Sequence, residues 1–171
     1  NFIAGISIDG PEHLHNRHRH TTAGGKTFEK VIRGYDILRK HEITTEILCV
    51  LSSGNSPYPH EVYNFFREIG AIYLTFLPLV ERENSTASGS SVSPEVYGQF
   101  LSAVFDEWIE HDIGKIKIQI FEEALRTAFN QEHTLCIFKV DCGMIPVIEH
   151  NGDFYSCDHF VDRHHLVGNI N

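Results

Sequence analysis

Positive charge is scarce in this sequence. Lys and Arg number 14 against 23 Asp and Glu, a formal net charge of −9. That balance speaks against a surface built to grip phosphate backbones, so no nucleic-acid partner is expected. Long apolar runs are lacking too. None approaches the roughly 20 residues a membrane span needs, and no membrane association is expected. Cysteine is sparse, with four in 171 residues, too few and too unevenly placed for a small secreted disulfide scaffold. No secretory leader pattern is present, and a cytoplasmic location is expected. No internal repeat is visible. What is there is an ordinary globular mixture, 42% hydrophobic and 22% charged, with an unusual 12 histidines. Wholesale disorder is excluded. The opening Asn1-Phe2-Ile3 already reads as a strand, and Gly168-Asn169-Ile170-Asn171 closes without a helix. The sequence is expected to be a piece of a longer protein.

Phe2 to Ile8 is an apolar strand, stopped by Asp9-Gly10-Pro11. A His- and Arg-rich stretch, residues 12–25, reads as a loop with a solvated face at His13, His15, His18 and His20. Apolar residues at Phe28, Val31, Ile32, Tyr35 and Leu38 make one face of a helix over 27–41. Ile43 to Leu51 is β-branched and apolar, a buried strand with Cys49 in the core. A helix over 60–69 capped by Gly70, a strand over 72–77 and a loop over 81–92 follow. Ser93-Pro94 starts a helix running to about His111, with Trp108 on its apolar side. A strand over 116–120 and a helix over 121–130 complete the alternation.

Strand and helix in strict alternation specify α/β units on a parallel sheet. A full (β/α)8 barrel takes about 250 residues, so four strands make half of one, or the second part of a six-stranded open barrel. After Gln131 the texture changes. Asn151-Gly152 between two short β-prone runs signals a hairpin.

Two constellations carry chemistry. Cys142, Gly152 and Cys157, with Cys136 ahead of them, crowd near that hairpin. Three thiolates there suit zinc or an iron–sulfur cluster, and equally suit ordinary buried cysteines. Asp158 beside Cys157 is a candidate general base or a solvated surface acid. The second constellation is Ser7-Ile8-Asp9-Gly10-Pro11 with His15-Asn16 and Arg19. In parallel α/β folds ligands bind beyond the C-terminal ends of strands, where Ser7 and Asp9 sit. Arg19 is suited to a carboxylate or phosphate, or is a plain surface residue beside a turn.

These residues resemble a known family. Ser7-Ile8-Asp9-Gly10-Pro11 with His15-Asn16 and Arg19 looks like the middle of a radical S-adenosylmethionine (SAM) enzyme. Cys142-x9-Gly152-x4-Cys157 matches the opening cysteine pair of the SPASM domain, which binds auxiliary iron–sulfur clusters. Cys157-Asp158-His159-Phe160-Val161 and Leu166-Val167-Gly168-Asn169-Ile170 are similar to the anaerobic sulfatase-maturating enzymes, oxidoreductases that convert a sulfatase Cys or Ser to Cα-formylglycine.

The resemblance implies the C-terminal part of a partial (β/α)6 TIM-type radical SAM barrel over 1–130, then the start of a SPASM β-hairpin module over 131–171. It implies SAM and [4Fe–4S] clusters as cofactors and a sulfatase polypeptide as partner. Cys136, Cys142 and Cys157 would ligate the first auxiliary cluster. Asp158 matches the catalytic base, which takes a proton from the target residue while the 5′-deoxyadenosyl radical takes the β-hydrogen. Ser7 and Arg19 lie where the family contacts SAM, with Leu77 packing on the adenine. The family's CxxxCxxC motif is absent from these 171 residues and is expected ahead of Asn1; the later SPASM cysteines are expected beyond Asn171. The piece alone is therefore expected to be inactive, and its open sheet edges to pair with a second copy. The alternatives are another SPASM peptide maturase, a non-catalytic α/β binding module with a metal-stapled hairpin, and a metal-free α/β domain.

Overall fold

The computed structural model describes residues 3–83, 86–141 and 145–171. The chain forms two compact units, Asn1–Glu122 and Glu123–Asn171. No helix among the described residues is long and apolar enough to cross a membrane.

The first unit is built on a parallel sheet. Strands β1 (Ile3–Ser7), β2 (Thr44–Leu51), β3 (Tyr73–Pro78) and β6 (Lys117–Ile118) lie side by side in chain order. Ser7 pairs with Leu48, Val50 with Leu77, and Leu74 with Ile118. Side chains alternate across the sheet. Ile47, Cys49 and Leu51 are fully buried on one face, while Glu46, Leu48 and Val50 on the other are half-buried.

Helices α2 (Phe28–Lys40), α3 (Pro59–Glu68) and α4 (Pro94–His111) follow the strands. A chain of aromatic rings joins them. Phe28 meets Phe65, Phe65 meets Phe66, Phe66 meets Phe76 of β3, and Phe76 meets Phe100 of α4, with centroids 5.2 to 6.3 Å apart. Such pairs add about 0.5–1.5 kcal/mol each beyond their buried area. Asp112 after α4 is buried, accepts from Tyr63 Oη at 2.9 Å and pairs with Arg67 Nε at 2.9 Å, tying α4 to α3. Trp108 is fully buried and donates to Ile116 O at 2.7 Å. Ser93 caps α4 by accepting from Val96 N, as its sequence requires. Gly70, at φ +70°, follows the end of α3.

Four expectations need correction. Residues 12–25 are not all loop: α1 (Glu12–His15) is one turn, and it buries Leu14 and His15. His15 is fully buried, so the histidine run is not one solvated face. The 81–92 stretch holds two short paired strands, β4 (Arg82–Glu83) and β5 (Thr86–Ala87). β6 has only two residues because α5 (Gln119–Ala128) starts at once.

The boundary between the units falls inside α5. The second unit continues through a 3-10 turn, Cys136–Phe138, into an antiparallel sheet of β7 (Val147–Ile148), β8 (Asp153–Tyr155) and β9 (Leu166–Asn169). The chain reverses at Asn151-Gly152. Gly152 has φ +87°, a conformation that favours glycine, and a Cβ there would displace the end of the Asn171 side chain. The strand β9 lacks β-branched alternation apart from Val167, and the sequence left it unseen.

Candidate functional site

In the first unit the site grows from the carboxyl ends of β1 and β2. Asp9 follows β1 and is 6% exposed. Its Oδ1 accepts from Val50 N at 2.9 Å, which fastens it to β2. Arg19 reaches the same carboxylate with two donors, Nε to Oδ2 at 2.5 Å and Nη2 to Oδ1 at 3.1 Å. Such a fork fixes direction as well as charge.

His15 stands behind this pair. Asp9 N donates to His15 Nδ1 at 3.3 Å, which makes that nitrogen the acceptor. His15 Nε2 therefore donates to Thr27 Oγ1, 3.1 Å away, and Thr27 passes its own hydroxyl hydrogen to Arg19 O at 2.8 Å. Burial keeps the His15 ring below the usual histidine pKa, with Arg19 working in the same direction and Asp9 against it. The neutral ring thus links both partners of the ion pair through the backbone. Asn16 Oδ1 accepts from Thr27 N and Phe28 N, at 3.1 and 3.2 Å, and so caps α2 from the preceding segment.

The loop after β2 closes the other side. Asn55 Nδ2 donates to Asp9 O at 3.1 Å and to Val50 O at 2.8 Å, while its Oδ1 accepts from Ser52 N at 2.8 Å. Asp9, Arg19, Val50, Ser52, Asn55 and Leu79 are among the walls of a cavity of about 290 Å³. Ser7 and Leu77 share the sheet face of Val50 through the strand registers, yet stand outside the cavity wall. Arg19 lines it, as an ion pair with Asp9 and not as a lone cation. Asn55 and Ser52 were not singled out from the sequence; the Ser52-Ser53-Gly54-Asn55 composition directly after a buried strand was the available signal.

The second unit holds the cysteine site. Cys157 is 7% exposed and forms a parallel bridge with Ile145. Its Sγ lies 3.7 Å from Asp158 Oδ1 and 3.8 Å from His159 Nδ1, and those two groups are 3.1 Å apart. Thiol, carboxylate and imidazole therefore offer three metal-binding atoms within 4.8 Å of one another. Asp158 itself keeps half its side chain in solvent. Cys136 opens the 3-10 turn and is half-buried, and Cys136 and Cys157 are free thiols. Cys142 lies outside the described residues. Thiolates are ligands that iron–sulfur clusters and zinc use, but among the described residues only Cys157 contributes a thiol to this group, and Cys136 is not part of it. Cys49 belongs to a different environment: full burial raises its thiol pKa well above the usual range, as a core residue requires.

A carboxylate unforeseen from the sequence organises the segment before Cys136. Glu123 is 3% exposed and accepts from His133 Nδ1 at 2.9 Å, from the Thr134 hydroxyl, and from the backbone N–H groups of Thr134 and Leu135 at 3.1 and 3.3 Å. Its only sequence signal is one of two adjacent glutamates on a helix, which normally means a solvated face.

No family model matches the chain. Known proteins do. It is 39% identical over 186 residues to a serine-type anaerobic sulfatase-maturating enzyme of Bacteroides thetaiotaomicron, an alignment spanning 99% of this chain and 45% of that protein. It is 31% identical over 175 residues to the cysteine-type enzyme of Clostridium perfringens, covering 99% and 47%. Among solved structures it matches native anSMEcpe with bound AdoMet and the Kp18Cys peptide, at a TM-score of 0.88 and 31% identity, over 98% of this chain and 48% of that one. The chain spans about half the length of the curated relatives it matches. Over almost its whole length this chain is similar, in sequence and in fold, to about half of an anaerobic sulfatase-maturating enzyme.

Proposed function

We propose that the chain is the part of a radical SAM sulfatase-maturating oxidoreductase that carries the later barrel strands and the first ligands of an auxiliary cluster, and that the whole protein oxidises a sulfatase Cys or Ser to Cα-formylglycine in the cytoplasm. The observation that carries this reading is identity of 39% and 31% to two named maturases over 99% of the chain. The TM-score of 0.88 to a maturase holding AdoMet and a peptide supports it. Residues 1–130 are read as the C-terminal part of a partial (β/α)6 barrel and 131–171 as the beginning of the SPASM domain.

When bound, SAM and the [4Fe–4S] clusters would supply the two-electron oxidation that formylglycine formation requires. The residues of this chain bind, orient and move protons. Arg19, held by Asp9, fixes the polar wall where SAM is read to sit, and Ser7 and Leu77 lie outside that wall on the sheet face of Val50. Cys136, Cys142 and Cys157 hold the auxiliary cluster through their sulfurs. The Asp158 carboxylate accepts a proton from the target side chain at an Oδ atom; its half-exposed position leaves that atom open to a peptide. His159 Nδ1, 3.1 Å from Oδ1, steadies it.

The CxxxCxxC motif is absent from these 171 residues, so they cleave no SAM by themselves. β1 and β6 are the outer strands of the described parallel sheet, and their free edges offer pairing to a second copy.

The experiment uses the whole protein, reconstituted anaerobically with iron and sulfide. SAM and a short peptide with the Cys/Ser-x-Pro-x-Arg signature are added, and peptide mass and 5′-deoxyadenosine are read. A mass change matching formylglycine that disappears in Asp158→Asn supports the reading and the role of Asp158. 5′-Deoxyadenosine without peptide change moves the substrate to another peptide. Absence of both iron uptake and SAM cleavage overturns the enzyme reading in favour of a binding module.

A further inference from the structure

The segment leading to Cys136 has no regular secondary structure between Gln131 and Leu135. A short irregular segment does not hold a cysteine in one place unless something ties it down. In this chain α5 supplies the ties: Arg126 Nη1 donates to Glu132 O at 3.3 Å, Thr127 Oγ1 lies 3.4 Å from His133 Nε2, and one buried carboxylate takes the largest share of the bonds. The Glu123 carboxylate takes hydrogen bonds from three consecutive residues, His133, Thr134 and Leu135, and the next residue is Cys136. Cys136 then turns at once into the 3-10 segment, where Lys139 N donates to Cys136 O at 3.1 Å. Burying a carboxylate is costly unless several donors meet it. Burial opposes ionisation of Glu123, but the bonds from Thr134, His133 and Leu135 outweigh it and hold the carboxyl below the usual glutamate range. Arg126 Nε, 3.7 Å away on the same helix, adds a cation. The donors are side chain and backbone together, so the carboxylate fixes the path of the main chain and not only one rotamer.

From this geometry we infer that Glu123 is the positioning residue for the Cys136 sulfur, fixing the 133–135 segment from α5 so that Cys136 meets the auxiliary cluster. The inference rests on the reading of Cys136 as a cluster ligand. It adds to that reading a residue outside the cysteine motif. Glu123 touches neither cluster nor substrate and acts through the backbone.

The test uses the whole protein, reconstituted anaerobically, with iron and sulfide counted per chain, the visible and electron paramagnetic spectra recorded, and iron release to a chelator timed. Cys136→Ala is the benchmark and loses the iron of one cluster, ~4 atoms. Glu123→Ala is expected to lose the same iron, or to release it about 10-fold faster or more, the usual cost of removing a group that orients a ligand. Glu123→Gln retains it, because its oxygen still accepts from Thr134 and its amide still reaches His133 Nδ1. Thr134→Val, which keeps the shape but removes one donor, releases iron faster than wild type. It decides the matter if Glu123→Ala does not fold. A merely structural role lowers Tm while leaving iron release unchanged. Depletion in Cys136→Ala, with Glu123→Ala or, failing that, Thr134→Val holding iron like wild type, overturns the inference. Full iron in Cys136→Ala overturns the cluster reading itself, and this role with it.

Discussion

Asp9 and Arg19 face each other as a two-pronged ion pair, Nε to Oδ2 at 2.5 Å and Nη2 to Oδ1 at 3.1 Å, directly beyond the end of β1. The Asp9 side chain is 9% exposed and that of Arg19 30%. The pair therefore sets the polarity of the cavity floor without presenting a bare charge to it. A ligand entering there meets a preformed, oriented guanidinium.

Removing one partner of such a pair leaves the other uncompensated. Arg19→Ala is expected to lower the unfolding free energy by about 3 kcal/mol. Arg19→Lys recovers only part, because an ammonium cannot make both contacts. Urea unfolding of the three proteins measures this; equal midpoints for wild type and Arg19→Lys would show that the forked geometry contributes nothing.

His15 gives a pH dependence with a definite sign. Burial lowers its pKa in the folded chain, so between that value and the unfolded value of about 6.5 the unfolded chain binds more protons. Stability is lost as pH falls from about 6.5 and levels off below the lowered native pKa. His15→Gln, which cannot titrate, is expected to be less stable at pH 8, with a shallower acid loss. Parallel stability curves for the two proteins would rule out His15 as the source.

Ser56 is buried, and its hydroxyl has no hydrogen-bond partner among the described residues. An unmet buried hydroxyl costs about 1–3 kcal/mol. Ser56→Ala should therefore raise stability, by up to about 1 kcal/mol once lost packing is counted. A lower Tm in Ser56→Ala would mean that the hydroxyl is satisfied.

Gly152 has a positive φ, and a methyl there must push the end of the Asn171 side chain aside. Gly152→Ala is expected to cost about 1–2 kcal/mol from the backbone alone, plus the Asn171 Nδ2 bond to Asn151 O that the new methyl displaces. The loss is local to the three-stranded sheet. Hydrogen exchange at Glu149 and Ile170, whose amides bond across this turn, reads it. Unchanged protection there would contradict the account.

How much of this was legible in the sequence depends on whether the signal was periodic. β2 alternates cleanly, and α4 carries both a capping Ser and a Pro at its first position, so both stood out. α1 has four residues, too short for any periodicity to accumulate. β6 lost its end to α5 because Gln119 starts the helix where β-branched isoleucines suggested more strand. The burial of His15 and of Glu123 was missed for a common reason. Both are polar residues in polar neighbourhoods, and their burial is set by partners 12 and 11 residues away, Thr27 and Thr134. Local composition carries no trace of such partners. The motif residues Asp158 and Cys157 were visible as letters, but the closeness of His159 to both was not.

The order of the parallel sheet, β1-β2-β3-β6, is also the order in which the ribosome makes its strands. Each new strand joins the one before it, and none of the four must be threaded between two already paired. The sheet can accordingly lengthen sideways while the chain is still emerging, one strand and its covering helix at a time.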